Sequence, residues 1–191
     1  YITKLALVST VKDGVWKHRL ILDCRMSGAN SATWKYERIV LPRIWDVIRN
    51  SLHLKKQAGS DKSLMYFVCD FKDAFFKLPL HFQEQPYYVF SFRGEIYIGL
   101  RIGQGSLNGP TVFGRLSAFT GRVTQPLFDP EEVLLQIYTD DPIASILATP
   151  QRARRIVSML CLIWLVLGFS LSFHKAQYGH QVVWVGYQLT S

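Results

Sequence analysis

Residues 133–138 and 143–148 are short, mostly apolar runs joined by only four residues, Thr139-Asp140-Asp141-Pro142. Runs of this length between turn residues read as strands. The link is too short for anything but a tight return, so the two runs must pair as a hairpin with two adjacent carboxylates at its tip. Turns favour Asp, and a plain turn is one reading of the pair. The other starts from charge. Two ionised groups about 4 Å apart repel by roughly 4 kcal/mol at a surface-like dielectric. A divalent cation removes that cost, and hard oxygen ligands suit Mg²⁺.

The remaining sequence must supply a body for that hairpin. The 191 residues are 49% hydrophobic and 14% aromatic, which excludes a disordered tail and fits one domain or two small lobes. Cys24, Cys69 and Cys161 lie too far apart for a zinc knuckle and are too few for a disulfide framework. A reducing compartment is therefore expected, intracellular and either cytoplasmic or nuclear. The chain opens without Met or a leader, so a piece of a longer protein is expected. Net charge is +8 and unevenly spread. Residues 1–60 hold 11 Lys/Arg against 4 Asp/Glu, whereas residues 61–191 are nearly balanced. A basic front reads as a surface for polyanions, or as a solvated face with no ligand.

Strands are expected at residues 4–10 and 18–23, joined through an Asp13-Gly14 turn, and a helix from 41 to about 54. Residues 57–63 read as a polar loop and 64–69 as an apolar strand ending at Asp70. Residues 87–92 and 95–101 read as a hairpin around Arg93-Gly94. A helix opens at Gly109-Pro110 and runs to about 122. Another runs from Pro150 to about 167 and stops at Gly168. Strands at 170–173 and 182–189 follow. This order predicts an α+β sheet with helices on one face. The apolar stretch 156–167 follows three arginines, as a membrane span might begin, but about 12 residues fall short of the roughly 20 a span needs. A buried helix and no membrane partner are expected.

A second acid sits at the end of the apolar run Phe67-Val68-Cys69-Asp70. If Asp70 meets Asp140 across a sheet, three carboxylates converge, enough for two Mg²⁺ and in-line phosphoryl transfer. Asp73, three residues on, is expected to turn away at the start of a helix.

These residues, with others in a fixed order, resemble a reverse transcriptase of the retroviral and retrotransposon kind. The resemblance covers about residues 4–190. It is carried by Trp16-Lys17-His18-Arg19 through Arg25, the block around Asp70, Gly103-Gln104-Gly105 through Phe113, and Tyr138-Thr139-Asp140-Asp141. Leu167-Gly168-Phe169 through His174-Lys175 and Trp184-Val185-Gly186-Tyr187-Gln188-Leu189 complete it. It implies a right-hand polymerase with a ferredoxin-like (RRM-like) antiparallel palm and a fingers subdomain. Fingers would take residues 1–38 and 79–108, and palm 39–78 and 109–191. A thumb and an RNase H region are expected outside the chain.

The resemblance implies RNA-directed DNA polymerase activity on an RNA or DNA primer–template with dNTPs and two Mg²⁺, for which Mn²⁺ can substitute. Asp70, Asp140 and Asp141 would be the catalytic metal carboxylates, with the Phe71 carbonyl as a further ligand. Lys12, Lys17 and Arg19 would hold the triphosphate, where an Arg fork suits phosphate oxygens. Phe75 would exclude a 2′-hydroxyl, or pack with Phe76 in a core. Gln104 would bond near the nucleotide sugar, with Gly103 and Gly105 allowing close backbone approach. Lys175 would meet the leaving pyrophosphate, or be a surface lysine. Arg25, Gly105, Tyr138 and Thr139 would contact primer or template. Trp184, Gly186 and Tyr187 would place the primer end, or pack their hairpin. Thr139 stands where an apolar residue is usual, Gly109 replaces a small hydroxyl residue or Ala, and residues 27–34 lengthen a link. Pro142 removes an N–H, so a distorted hairpin is expected. The competing reading is a catalytically decayed or co-opted nucleic-acid-binding remnant.

Overall fold

The computed structural model describes residues 2–34 other than Asp13, and residues 37–191. The Lys12 side chain also lies outside the described residues, so neither the Asp13 turn nor the Lys12 phosphate contact is addressed. In chain order the elements begin with β1 (Lys4–Lys12), β2 (Val15–Asp23), α1 (Ile44–Lys55), β3 (Ser63–Val68) and β4 (Phe71–Lys72). Next come β5 (Val89–Phe92), β6 (Glu95–Ile98), α2 (Gly109–Thr124), β7 (Val133–Tyr138), β8 (Asp141–Ala148) and α3 (Pro150–Val166). The last are β9 (Ser170–Leu171), β10 (Gln177–Gly179), β11 (Gln181–Trp184) and β12 (Tyr187–Thr190). The chain divides into two compact units. Unit 1 takes Tyr1–Ile39 and Phe75–Phe113, and unit 2 takes Val40–Ala74 and Gly114–Ser191.

Unit 2 is built on a four-stranded antiparallel sheet in the order β10-β3-β8-β7. Strand alternation assigns its two faces. Leu64, Tyr66 and Val68 share one face with Ile143 and Leu147, and there they pack with Val47 and Leu54 of α1 and Val182, Trp184 and Leu189 of the β11–β12 hairpin. Met65, Phe67, Ala144 and Ile146 form the other face, where Phe67 stacks on Trp164 of α3 at 6.2 Å. Ile137 pairs with Pro142 on that same face and lies under Gly121 of α2. Helices α2 and α3 thus share a face as expected, but α1 covers the opposite one. The correction follows from Tyr66. Its hydroxyl bonds the buried Ser51 hydroxyl of α1 at 3.0 Å, so that face needs a helical partner too.

Local chemistry explains the boundaries. Helix α1 starts at Ile44, not 41, because Pro42 leaves Arg43 as the cap, where its N–H donates to Asp46 Oδ2 at 2.7 Å. Helix α3 is capped by Thr149, whose hydroxyl accepts from the Arg152 N–H, with Pro150 at the first helical position. Its buried residues Ala153, Ile156, Leu160 and Trp164 recur at helical spacing on one face. Among the described residues no helix is long and apolar enough to cross a membrane.

Three strand expectations change. Residues 182–189 are two strands, not one, because Val185 and Gly186 turn the chain at φ 47° and 82°. Such a pair of left-handed residues makes the hairpin turn whose twist matches its strands. Residues 170–173 form a strand only at Ser170–Leu171 and then coil into a 3₁₀ turn, Phe173–Lys175. Strand β10, which has no alternating pattern to announce it, adds an edge beside β3. Pro142 leaves the β7–β8 register regular, with Tyr138 opposite Asp141 and Ile137 opposite Pro142. The expected distortion is absent because Pro142 stands second in its strand, where its carbonyl accepts from the Cys69 N–H at 3.2 Å.

Two glutamine side chains bond strand backbone around the sheet. The Gln125 amide bonds the Val133 carbonyl and the Leu135 N–H of β7, at 2.9 and 2.8 Å. The Gln177 amide of β10 bonds the carbonyl and N–H of Val183 in β11, at 3.0 and 2.7 Å.

In unit 1, β1 and β2 form a long antiparallel ribbon from Lys4 opposite Asp23 to Lys12 opposite Val15. Strands β5 and β6 form a second hairpin, turned by Arg93 and Gly94 at φ 53° and 83°. The Thr3 N–H donates to the Val89 carbonyl and links the two.

Candidate active site

In unit 2 the end of β3 meets the β7–β8 turn. Asp70 follows β3, Asp140 sits in the turn, and Asp141 opens β8. Each of the three has its backbone carbonyl tied. That of Asp70 accepts from the Ser172 N–H at 2.9 Å and that of Asp140 from the Phe71 N–H at 2.8 Å. The Asp141 carbonyl accepts from the indole N–H of Trp184 at 2.9 Å. The turn itself is strained. Thr139, a β-branched residue, sits at φ 51°, a conformation such residues rarely adopt. Its hydroxyl lies 2.7 Å from the Tyr138 carbonyl and 2.8 Å from Asp140 Oδ1, and its carbonyl accepts from the Ser117 hydroxyl. Local bonds therefore offset the strain.

The carboxylates feel one another. Burial, then Asp140, then Asp70, pushes the Asp141 carboxyl from 3.8 up to about 6, against the opposing pull of Lys175. The Lys175 ammonium lies 2.5 Å from Asp70 Oδ2. Among the described residues no group of three or more His, Cys, Asp or Glu stands in an arrangement that holds a metal. Burial and two neighbouring carboxylates make Asp141 costly to ionise, with one ammonium against them, so the site is a donor set short of positive charge. That is the chemistry a divalent cation fits.

Phe71 packs its buried ring on Phe169 at 4.2 Å and edge-on to Trp164 at 5.5 Å, which fixes the segment after Asp70. Asp73, at φ 53°, precedes the 3₁₀ turn Ala74–Lys77. Tyr138 is half-buried, with its ring edge-on to Trp184 at 6.2 Å. Trp184 itself is 2% exposed. Its indole is turned to the β7–β8 hairpin, so Trp184 packs there, as one of its two expected roles has it. Gly186 and Tyr187 are exposed on the same hairpin.

Unit 1 carries the remaining candidates. Lys17 and Arg19 project from one face of β2, both exposed, and Arg25 is exposed in the turn that follows. The Asp23 carboxylate accepts the Arg25 and Met26 N–H groups and shapes that turn. Half-buried Phe75 packs on Phe113 at 5.3 Å and beside Gly109, whereas Phe76 is exposed, so the two do not form a shared core. A Cβ at 109 would stand 3.3 Å from Ile102 Cγ2 and in ordinary contact, 3.5 Å, with the Phe75 ring. The Gln104 carbonyl accepts from the Leu22 N–H at 2.9 Å. Gly105, at φ 113°, lies so close to β2 that a Cβ there would stand 2.1 Å from the Leu22 carbonyl oxygen. Its close backbone approach is to the chain itself.

Asn30 escaped sequence reasoning. Its side chain donates to the Gly105 carbonyl at 3.1 Å and accepts from the Leu107 N–H at 2.9 Å, clamping the Gly103–Leu107 loop. The lengthened link of residues 27–34 is the arm that delivers it. The only sequence signal was that unexplained length.

Comparisons with known proteins bear on the family and the fold. The profile of the family described as reverse transcriptase (RNA-dependent DNA polymerase) matches residues 12–189. The Gag-Pol polyprotein of koala retrovirus is 33% identical over 143 residues, covering 65% of this chain and 8% of the polyprotein. The foamy viral protease-reverse transcriptase dRH in complex with double-stranded DNA gives a TM-score of 0.73 at 20% identity, over 99% of this chain and 29% of that one. The foamy viral protease-reverse transcriptase in complex with an RNA/DNA hybrid gives 0.68 at 20% identity, over 98% and 22%. At such identities the likeness shows the fold. The chain spans less than a third of each of these relatives.

Proposed function

The chain belongs to the reverse transcriptase (RNA-dependent DNA polymerase) family, and from that premise we propose that it carries the nucleotidyl-transfer centre of a retroelement polymerase, working inside the cell. The reaction is addition of dNTPs to a primer 3′-hydroxyl on an RNA or DNA template. Unit 2 is read as palm and unit 1 as fingers. The observation that carries the reading is the meeting of the β3 end with the β7–β8 turn, where the Phe71 N–H donates to the Asp140 carbonyl at 2.8 Å and so sets Asp70 beside Asp140 and Asp141.

Asp70, Asp140 and Asp141, with the Phe71 carbonyl, would hold two Mg²⁺, or Mn²⁺ in their place. Bound there, the metal pair supplies a lowered pKa at the primer hydroxyl and charge stabilisation on the leaving pyrophosphate. The chain's own groups do the rest. Thr139 holds Asp140 through its hydroxyl, and Tyr138 and Tyr187 offer aromatic surface to the primer end. Lys175, on its short 3₁₀ turn, can leave Asp70 and place its ammonium on an anionic oxygen. Lys17, Arg19 and, by resemblance, Lys12 bind phosphate oxygens. Gln104 bonds the nucleotide sugar, and Phe75 closes the space a 2′-hydroxyl would need. Arg25 and Gly105 meet the template backbone, and Gly186 lets the primer lie close.

The test is primer extension on RNA and DNA templates by the protein that contains this chain in full, beside its Asp140→Asn variant. Loss of incorporation by about three orders of magnitude is expected for removal of a metal carboxylate. Equal extension by both sinks the assignment. No incorporation by the unaltered protein, together with salt-sensitive duplex binding, would favour a binding remnant instead.

A further inference from the structure

Two of the three aspartate carbonyls are held by backbone N–H groups, from Ser172 and Phe71. The third, that of Asp141, is held by a side chain, the indole of Trp184. Trp184 is the last residue of β11, beside the Val185-Gly186 turn, and is 2% exposed. An indole N–H is a donor only and is costly to bury unpaired, so the Asp141 carbonyl is its required partner. The same ring meets Tyr138 edge-on. Tyr138 and Asp141 are the facing pair that closes the β7–β8 hairpin, so one side chain touches both residues that set the direction of the turn.

We infer that Trp184 is a positioning residue. Its N–H fixes the plane of the peptide after Asp141 and thereby the direction of the Asp141 carboxylate, and it joins the β11–β12 hairpin to the acidic one. The inference rests on reading Asp141 as a metal carboxylate. It also gives exposed Tyr187 a second meaning. Tyr187 pairs directly with Trp184, so a load on Tyr187 is passed through one residue pair to the peptide of Asp141.

The test uses the full protein, its Trp184→Phe variant, and Val183→Ala as a control, since Val183 shares the strand but exposes its side chain. Mn²⁺ affinity is measured by electron paramagnetic resonance without nucleic acid. Single-turnover incorporation is followed separately for rate and for dNTP affinity. Loss of one buried hydrogen bond predicts about 5- to 10-fold weaker Mn²⁺ binding. It also predicts incorporation slowed about 10-fold or more, with primer–template affinity within about 2-fold. Val183→Ala should match the unaltered protein. A folded Trp184→Phe protein that binds Mn²⁺ normally overturns the inference. So does one that loses only primer–template affinity, or an unaltered protein that binds no Mn²⁺. If Trp184→Phe does not fold, β-(3-benzothienyl)alanine at position 184 keeps the ring shape without the N–H, and the same outcomes decide. A protein that incorporates no dNTP, yet loses Mn²⁺ affinity on Trp184→Phe, refutes the polymerase reading and leaves the positioning role standing.

Discussion

Replacing Asp141 with Asn separates what the site costs the fold from what it does. Burial, Asp140 and Asp70 together raise the Asp141 carboxyl from 3.8 to about 6. An acid whose pKa is higher in the fold than in the unfolded chain is held better in its protonated form. Its contribution to stability is fully present below about pH 4 and is lost as pH rises through about 6. Above that the fold carries an ionised carboxylate it disfavours. At ~1.36 kcal/mol per pH unit, the shift from 3.8 to about 6 sets a ceiling of about 3 kcal/mol. Solvent reaching the half-buried group trims this to about 1–3 kcal/mol. Asn has nearly the same shape and no charge. For a chain of this size, ~2–4 °C per kcal/mol predicts that Asp141→Asn melts about 2–12 °C higher at pH 7.5. The gain should shrink to within about 1 °C at pH 4, where the native acid is protonated as well. The assay is a pair of thermal scans, by circular dichroism, in chelator at the two pH values. A variant that melts no higher at pH 7.5, or gains as much at pH 4, refutes the reasoning. Added Mg²⁺ should narrow the gap by stabilising only the native acid, while Asp141→Asn abolishes incorporation.

Gly105→Ala forces a Cβ to within 2.1 Å of the Leu22 carbonyl oxygen at φ 113°. It should destabilise unit 1 by more than about 2 kcal/mol, seen as faster amide exchange in β2 while β8 is unaffected. Lys175→Met removes the ammonium from Asp70, an exposed pair worth at most about 1 kcal/mol, so the melting point should hardly move. Mn²⁺ affinity should rise, and a fall would show that the lysine helps the site bind cations. Phe75→Val opens space beside Phe113. Steady-state incorporation should shift toward ribonucleotides by at least about 10-fold, and an unchanged preference would remove Phe75 from sugar selection.

The acidic pattern was open to sequence reasoning because period and punctuation agree there. Apolar strands of alternating faces end at Asp70 and flank Asp140-Asp141, and no other pairing buries them. Trp184 shows the limit. Its motif marks a hairpin, but whether an aromatic near a turn faces solvent or core depends on which strand face α1 covers. That choice was settled by Tyr66 and Ser51, two residues with no visible pattern. Asn30 was illegible for a related reason. Its partners, Gly105 and Leu107, lie more than 70 positions away, and a single amide in a loop has no periodicity to betray it. Strand β10 is too short to alternate, and only its pairing with Phe67 and Val68 makes it a strand. Pro142 misled because its cost depends on which neighbour would have used its N–H.

The glutamine at the β7 margin of the four-stranded sheet has a consequence for how the protein behaves in company. An unsatisfied strand margin is a template onto which any other extended chain can zip, including a second copy or a nascent polyprotein. Gln125 occupies one donor and one acceptor of β7 with a group that cannot propagate a ladder, whereas the Gln177 amide of β10 bonds Val183 of β11 and ties the sheet to that hairpin. Each side-chain amide mimics one rung of a neighbouring strand and then stops. At the β7 margin the Gln125 side chain stands where a rung of a fifth strand would form. An extended chain arriving there meets a rung already taken.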